Sequence, residues 1–430
     1  MAARQATLFP DLEADPLGAE LAAFRSGPRE TAVLETLVAE TTCEHGGRTR
    51  RVPTYVNEFW TAKQRAASSL HEVSYRACFK PQLPRFFVER LTRPGERVHD
   101  PFMGRGTTPR EAALLGRRPS GTDVNPLSRV LLAPRLDPPE LAAIERRLAE
   151  LELGGDDALD PALRQDLLAF FHEDTLRELC ALRARLQARE AAGELDPVDA
   201  WIRMVAVNRL TGHSPGFFSV YTLPPNQAVS PAAQRKINRD REQVPPPRDV
   251  RALILKKTRA LLADVDDRVR AGLRRAARGA TLLADPAAST PALETGSVAL
   301  VVTSPPFLDV VDYAGDNWLR CWFCGIDPAA VAITAARRLP DWQAAMTATF
   351  RELRRVLRPG GHVAFEVGEV RGGKLRLEEA ALPCALEAGL DPVLVLINDQ
   401  AFTKTANCWG VTNGRKGTNT NRVVLLRRPA

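Results

Sequence analysis

The sequence predicts an α/β protein, a mostly parallel sheet with helices on both faces, split by a mainly helical insert. Three observations carry this expectation. Strand-length apolar runs alternate with helix-length stretches in both halves of the 430-residue chain, the pattern of a parallel sheet. Two of those runs lead into Gly- or Pro-rich loops, DPFMGRGTT at 100–108 and TSPPF at 303–307, and the carboxyl ends of parallel strands are where such sheets bind ligands. The stretch 136–200 is dense in Leu, Ala, Glu and Arg and 249–278 in Leu, Ala and Arg, and both read as helices.

The elements follow in order. Residues 1–50 read as a polar N-terminal arm with some helical periodicity, and 51–135 as the first part of the α/β domain. Within it, 83–91 places Leu83, Phe86, Phe87, Arg90 and Leu91 on one helical face, and Pro94-Gly95 ends that helix. A strand is expected at 96–100, then the Gly-rich turn, a helix over 107–115 stopped by Gly116, and a second strand at 120–124. Residues 136–279 form the insert, with breaks at Gly154-Gly155 and Gly193 and a Pro/Gly/Asn-rich stretch over 211–248. The α/β pattern resumes over 280–430, with strands at 280–284, 297–302, 362–367, 391–397 and 422–427. Helices fill 339–357 and 378–388, and Pro359-Gly360-Gly361 is a sharp stop between helix and strand.

Composition narrows the class. Hydrophobic residues are 44% of the chain, enough for a sizeable core, which excludes wholesale disorder. No apolar run approaches the ~20 residues that span a bilayer. The first residues lack the basic-then-apolar pattern of a signal peptide, so a cytoplasmic protein is expected. Seven scattered cysteines do not form a disulfide framework, and Cys321-x-x-Cys324 has no second pair, so no metal is expected. Net charge is +7, but it is segregated. Residues 231–280 hold 14 basic and 6 acidic residues, and 401–430 hold six basic and none acidic. A solvated helical face or a track for the DNA backbone explains such runs.

The two loops carry the chemistry. In the first, Gly104 and Gly106 let the backbone turn tightly and approach a ligand, and Asp100 at the strand end suits a cationic or amine-bearing group. Asp123 follows at the second strand end, where dinucleotide folds hold ribose hydroxyls. The third glycine of the phosphate-binding fingerprint is replaced by Pro109, which favours a nucleoside with a non-phosphate tail. In the second loop, Ser304 offers a hydroxyl, Pro305 a carbonyl, Pro306 rigidity and Phe307 an aromatic face. These are the parts that hold a planar, amine-bearing ring.

Together DPFMGRGTT and TSPPF resemble the amino-group DNA methyltransferases that use S-adenosylmethionine, and among them those specific for cytosine N4. The resemblance covers about 51–135 and 276–430; residues 71–91 look like the family's accessory cofactor segment and 402–422 like a C-terminal stretch of N4-cytosine members. It implies a Rossmann-like class I methyltransferase sheet. It implies a cofactor site of Asp100, Phe102, Gly104, Gly106, Thr107, Asp123, Asn125 and Asp285, with Asp123 on the ribose and Asp285 near the adenine. It implies a catalytic site of Ser304, Pro305, Pro306 and Phe307, which receives a cytosine flipped out of duplex DNA. Two residues depart from the commoner pattern. Phe307 replaces Tyr, and Arg105 replaces a small Ser, to contact DNA phosphate or point to solvent.

The insert is the expected target-recognition region. Asn208, Arg209, His213 and Ser214, with Tyr221, Asn226 and Gln227 beyond them, are candidates to read base edges or steady the displaced strand. Arg235, Lys236, Lys404, Arg415 and Lys416 are candidates for phosphate contact. The expected activity is sequence-specific methylation of cytosine N4 in double-stranded DNA, in a restriction–modification or solitary setting, the former with a cognate restriction endonuclease. Methylation of adenine N6 is the nearest alternative. An RNA or protein-amide methyltransferase and a DNA-binding protein without catalysis are more remote.

Overall fold

The computed structural model describes residues 16–39, 49–61, 67–75, 78–155, 159–222, 228–306, 308, 313–331, 336–370, 375–400 and 420–430. The chain opens with helix α1 (Pro16–Ala23) and a two-residue hairpin, β1 (Arg25–Ser26) and β2 (Arg29–Glu30). Two longer strands follow, β3 (Ala32–Ala39) and β4 (Thr49–Asn57). The alternating unit then runs α2 (Gln82–Leu91), β5 (Arg97–Asp100), α3 (Thr107–Leu114), β6 (Arg118–Thr122) and α4 (Leu127–Leu136). The insert supplies α5 (Leu141–Glu150), α6 (Pro161–Leu167), α7 (Glu173–Ala191), α8 (Pro197–Arg209), α9 (Pro231–Asp240), α10 (Val250–Leu261) and α11 (Asp267–Arg278). The rest is β7 (Thr281–Leu283), β8 (Val298–Thr303), α12 (Tyr313–Cys324), α13 (Leu339–Val356), β9 (Leu357–Val367), the short pair β10 (Glu369–Val370) and β11 (Leu375–Arg376), α14 (Leu377–Glu387), β12 (Asp391–Asp399) and β13 (Thr420–Arg427).

One nine-stranded sheet runs in the order β3-β4-β12-β13-β9-β8-β5-β6-β7. The ladders β5–β6, β6–β7, β5–β8, β8–β9 and β12–β4 are parallel. Strand β13 enters antiparallel between β9 and β12, and β3 pairs antiparallel with β4. Counted from β5, the order is third, second, first, fourth, fifth, seventh, sixth, with the last strand reversed: the Rossmann-like class I methyltransferase arrangement that the sequence predicts. Strand β8 is buried at all six positions, as a central strand covered on both faces must be. Leu300 and Val302 turn toward Phe86, Phe87 and Ala112 of α2 and α3, and Val301 turns toward Met346 and Phe350 of α13, the period-two alternation of a strand.

The structure differs from the sequence reading at two places. Residues 1–50 are not only an arm, because Ala32–Ala39 pairs along its whole length with Thr49–Asn57 and forms an edge of the sheet. Pro359-Gly360-Gly361 stops the helix but also lies inside β9, where the register with β8 slips between Val298 and Leu300. The extra residues bulge outward, with Gly360 at φ +73 and its N–H on the Arg428 carbonyl. Among the described residues the insert shares its core with the α/β part. Leu127 and Leu131 of α4, Trp201 and Val205 of α8, Ile254 of α10 and Leu319 of α12 share one buried cluster. No helix among the described residues is long and apolar enough to cross a membrane.

Candidate active site

The sheet order reverses between β5 and β8, and the two loops leave the sheet there side by side. The Thr303 hydroxyl at the end of β8 donates to Asp100 Oδ1 at the end of β5 at 2.6 Å, so the ends of the two motifs are joined by a direct hydrogen bond. The same oxygen accepts the Phe102 N–H at 3.1 Å. Asp100 is 1% exposed, and burial pushes its carboxyl up to about 7 against those bonds. A carboxylate held at such a cost is an expected mark of a functional site.

The glycine loop is built by two left-handed residues, Gly104 at φ +48 and Gly106 at φ +79. Gly106 caps α3, and a Cβ there would stand 2.6 Å from Leu132. The Gly104 N–H donates to Asp123 Oδ2 at 2.9 Å, and the other oxygen of Asp123 accepts the Asn125 N–H at 2.9 Å. Asn125 in turn accepts the Leu127 N–H and starts α4. Burial raises the Asp123 carboxyl. Thr108 donates to the Val302 carbonyl, fastening α3 to β8.

One cavity joins these parts. Asp100, Phe102, Gly104, Thr107, Asp123, Asn125, Ser304 and Pro306 line it, with Arg105 at one side. Gly106 and Pro305 flank residues of the lining without belonging to it, and Pro286, Ala287 and Ala288 line the wall beside Asp285. The Asp285 carbonyl still anchors the strand end, accepting the Thr122 hydroxyl at 2.7 Å. Phe307 lies outside the described residues.

Further lining residues come from two segments, the first inside the 71–91 stretch expected to serve the cofactor and the second missed by the sequence reading. Tyr75, Cys78 and Phe79 come from the segment ahead of α2, and Trp342, Met346 and Thr349 from α13. Trp342 donates its indole N–H to the Pro306 carbonyl at 3.1 Å and so braces the proline loop. Its only sequence signal is its place on an amphipathic helix, which reads as core. Glu366 on β9 is the other omission. It is 8% exposed, it accepts hydrogen bonds from the Ser304 hydroxyl and the Asn421 amide, and burial pushes it up to about 6. An acid inside the apolar run HVAFEV is the available signal.

The residues expected to touch DNA divide. Arg105 is buried, and its guanidinium donates to Thr107 Oγ1 and to the carbonyls of His71, Val73 and Phe79, so it faces neither phosphate nor solvent. Asn208 is 2% exposed, with its amide on the Ser74 carbonyl and its oxygen on Arg209, which leaves no edge for a base. Arg209 also stacks 4.0 Å over Phe217, and burial pushes it down to about 10. His213 is exposed and Ser214 half-buried. Arg235 is paired with Asp166 and Lys236 with Asp240. Further basic groups of the run are also neutralised, Arg259 by Glu145, Arg270 by Glu140 and Arg274 by Asp137. Arg239, Lys256, Arg268, Arg275 and Arg278 remain exposed. Lys404, Arg415, Lys416, Asn226 and Gln227 lie outside the described residues. Cys321 and Cys324 are buried thiols pushed up by burial to about 11 and 12, and no group of metal-ligating side chains is found among the described residues.

Comparison with known proteins adds three findings. The profile of the N6/N4 methyltransferase family, described as DNA methylase, matches residues 31–128. The match begins at β3 and ends just past Asn125, so the TSPPF loop lies beyond it. The Type II methyltransferase M.MvaI of Kocuria varians is 36% identical over 81 residues, which is 18% of this chain and 18% of that protein. A candidate DNA modification methylase of Thermus thermophilus, solved with S-adenosyl-L-methionine, is 21% identical over 34% of this chain and 52% of its own, with a TM-score of 0.20. The chain thus spans less than a fifth of the curated relative and about half of the solved one. Over residues 31–128 the resemblance to the amino-group DNA methyltransferases is borne out by the family match.

Proposed function

We propose that this chain is an S-adenosylmethionine-dependent DNA methyltransferase that transfers a methyl group to the exocyclic N4 of a cytosine flipped from the duplex. The observation that carries the reading is the Thr303–Asp100 hydrogen bond, because it holds a ligand-binding acid and the Ser-Pro-Pro loop at one end of one cavity.

The lining fits the cofactor. Its walls are largely apolar, from Phe102, Pro286, Ala287 and Met346, and its acids are Asp100 and Asp123. An adenosyl group with a cationic, phosphate-free tail suits such a wall, and a pyrophosphate does not. Asp100 and the glycine loop would hold the methionine end and Asp123 the ribose. When bound, the cofactor supplies a methyl group already activated on a sulfonium.

The rest is positioning. The lone pair of a cytosine amino nitrogen is delocalised into the ring, and hydrogen bonds from its N–H groups to Ser304 Oγ and the Pro305 carbonyl would pull it toward tetrahedral geometry. Ser304 donates its own proton to Glu366, which leaves its oxygen lone pairs free to accept from the amino group. The ionised Glu366 would also favour the positive charge that grows on the nitrogen as the N–C bond forms and the methyl leaves the sulfonium, whose sulfur keeps the bonding pair; the surplus amino proton then passes to solvent. The loop, braced by Trp342, keeps the base in line with the cofactor.

The insert is assigned to DNA contact. Its 228–229 stretch leans on the helix after the proline loop: the Ala228 N–H donates to the Asp316 carbonyl and the Trp318 indole to the Val229 carbonyl. Incubating unmethylated duplex DNA with the protein and labelled S-adenosylmethionine tests the reading. Label in N4-methylcytosine is expected; label in N6-methyladenine would transfer the reading to the adenine enzymes.

A further inference from the structure

The segment ahead of α2 forms one wall of the cavity through Tyr75, Cys78 and Phe79. Its only regular element among the described residues is a single 3₁₀ turn, Ser69–His71. Backbone carbonyls in a half-buried strap need donors, and here they come from side chains of distant elements. Arg105 alone reaches three of them, donating to the Val73 carbonyl at 2.8 Å, to His71 at 3.4 Å and to Phe79 at 3.5 Å, while its Nε is fixed on Thr107 at 3.2 Å. Arg135 of α4 takes the Leu70 carbonyl at 3.0 Å, and Arg320 of α12 takes Ser74 at 3.3 Å.

Arg105 differs from the other two in its position. It sits between Gly104 and Gly106 on the cofactor loop itself, 6% exposed. Its Cα belongs to the glycine loop and its guanidinium reaches the carbonyls of the strap. Where loop and strap meet, the fit is close: a Cβ on Gly104 would lie 3.4 Å from the Tyr75 ring. The planar guanidinium carries five N–H groups in a fixed fork, which is what several carbonyls at different angles require. An ammonium carries the same charge without the fork.

We infer that Arg105 is a positioning residue that locks the strap bearing Tyr75, Cys78 and Phe79 onto the glycine loop, and so fixes the cofactor cavity at its closed width. This rests on the reading of the cavity as an S-adenosylmethionine site. The far side of the strap is held by the insert, where Ser69 Oγ donates to the Leu261 carbonyl at 2.8 Å and Lys257 pairs with Glu72 at 3.5 Å. Without Arg105 the strap stays attached at that end and loosens at the cavity.

Arg105→Lys and Arg105→Ser are the test, with S-adenosylhomocysteine as the probe in calorimetric titration. Wild-type protein should bind it, and both variants should bind at least tenfold more weakly. The KM for S-adenosylmethionine should rise by a similar factor, with a much smaller change in kcat. Peptide-level amide exchange across 70–79 should quicken in both variants without ligand and slow again at saturating probe. Failure of wild-type protein to bind the probe overturns the cofactor reading alone, because the exchange comparison needs no ligand. Probe binding or strap protection in Arg105→Lys equal to wild type overturns the inference. Loss of DNA affinity with intact cofactor affinity overturns it as well, and returns Arg105 to the phosphate contacts.

Discussion

Replacing Glu366 by Gln removes one charge from behind Ser304 and leaves the shape of the site unchanged. Glu366 is 8% exposed and its partners are the Ser304 hydroxyl and the Asn421 amide. A hydrogen bond to an ionised group contributes ~1.5–3 kcal/mol and a neutral one ~0.5–1.5, so the substitution weakens the hold on Ser304 by about 1–1.5 kcal/mol. If that difference is felt in the transition state, kcat falls about 5- to 15-fold, at ~1.36 kcal/mol per tenfold. The pH dependence sharpens the test. Burial places the Glu366 carboxyl at about 6, so wild-type kcat should fall as pH drops through that value and the charge is lost. The Gln variant should be flat there and meet the wild-type curve at low pH. The assay is transfer of labelled methyl to duplex DNA at saturating cofactor, which removes the titration of Asp100 from the profile. A Gln variant within twofold of wild type at pH 8, or one that keeps the limb near 6, would refute the role. A loss beyond about a thousandfold would make Glu366 a proton acceptor in the reaction.

Asp100→Asn should abolish measurable cofactor binding in calorimetry yet stabilise the ligand-free fold in urea. The carboxyl is raised from 3.8 to about 7, so its stability contribution is retained below about pH 4 and lost as pH rises to 7; at ~1.36 kcal/mol per unit the variant gains up to about 4 kcal/mol at pH 8 and nothing at pH 4. Equal stability at pH 8 would count against a strained acid. Trp342→Phe keeps an aromatic ring and deletes the part-buried bond to the Pro306 carbonyl; such a bond contributes ~0.5–1.5 kcal/mol, so kcat should drop by about two- to thirteenfold, and an unaltered kcat would remove Trp342 from the loop's support. Reversing the exposed Lys256, Arg275 and Arg278 together should weaken DNA binding and lessen its salt slope by ~0.9 per lost phosphate contact, with unchanged cofactor titration; unchanged DNA affinity would end the assignment of this face.

What is legible in the sequence is what local chemistry dictates. Strand β8 announces itself by an apolar run with no alternation, and Gly104 and Gly106 by a turn that only glycine makes without strain. The two loops can be placed at strand ends because strands and helices alternate there. What is illegible depends on partners far away in sequence. Arg105 looks like a surface cation until the carbonyls of His71, Val73 and Phe79 close around it. Asn208 looks like a base reader because its polarity is visible and its burial is not. Edge strand β3 is hidden because its partner, β4, is what defines it. The charge run in 231–280 overstates the basic surface, since acids of α5 and of the neighbouring loops neutralise part of it.

The central claim is that the cavity at the ends of β5 and β8 methylates an amino group of a DNA base. Nucleoside analysis of duplex DNA after incubation with wild-type protein and labelled S-adenosylmethionine, beside a Ser304→Ala control, tests it most directly. The account predicts label in N4-methylcytosine with wild-type protein and a strongly reduced yield with the control. Label confined to a ring carbon of the base, or no label in DNA from a protein that binds the cofactor, would contradict it.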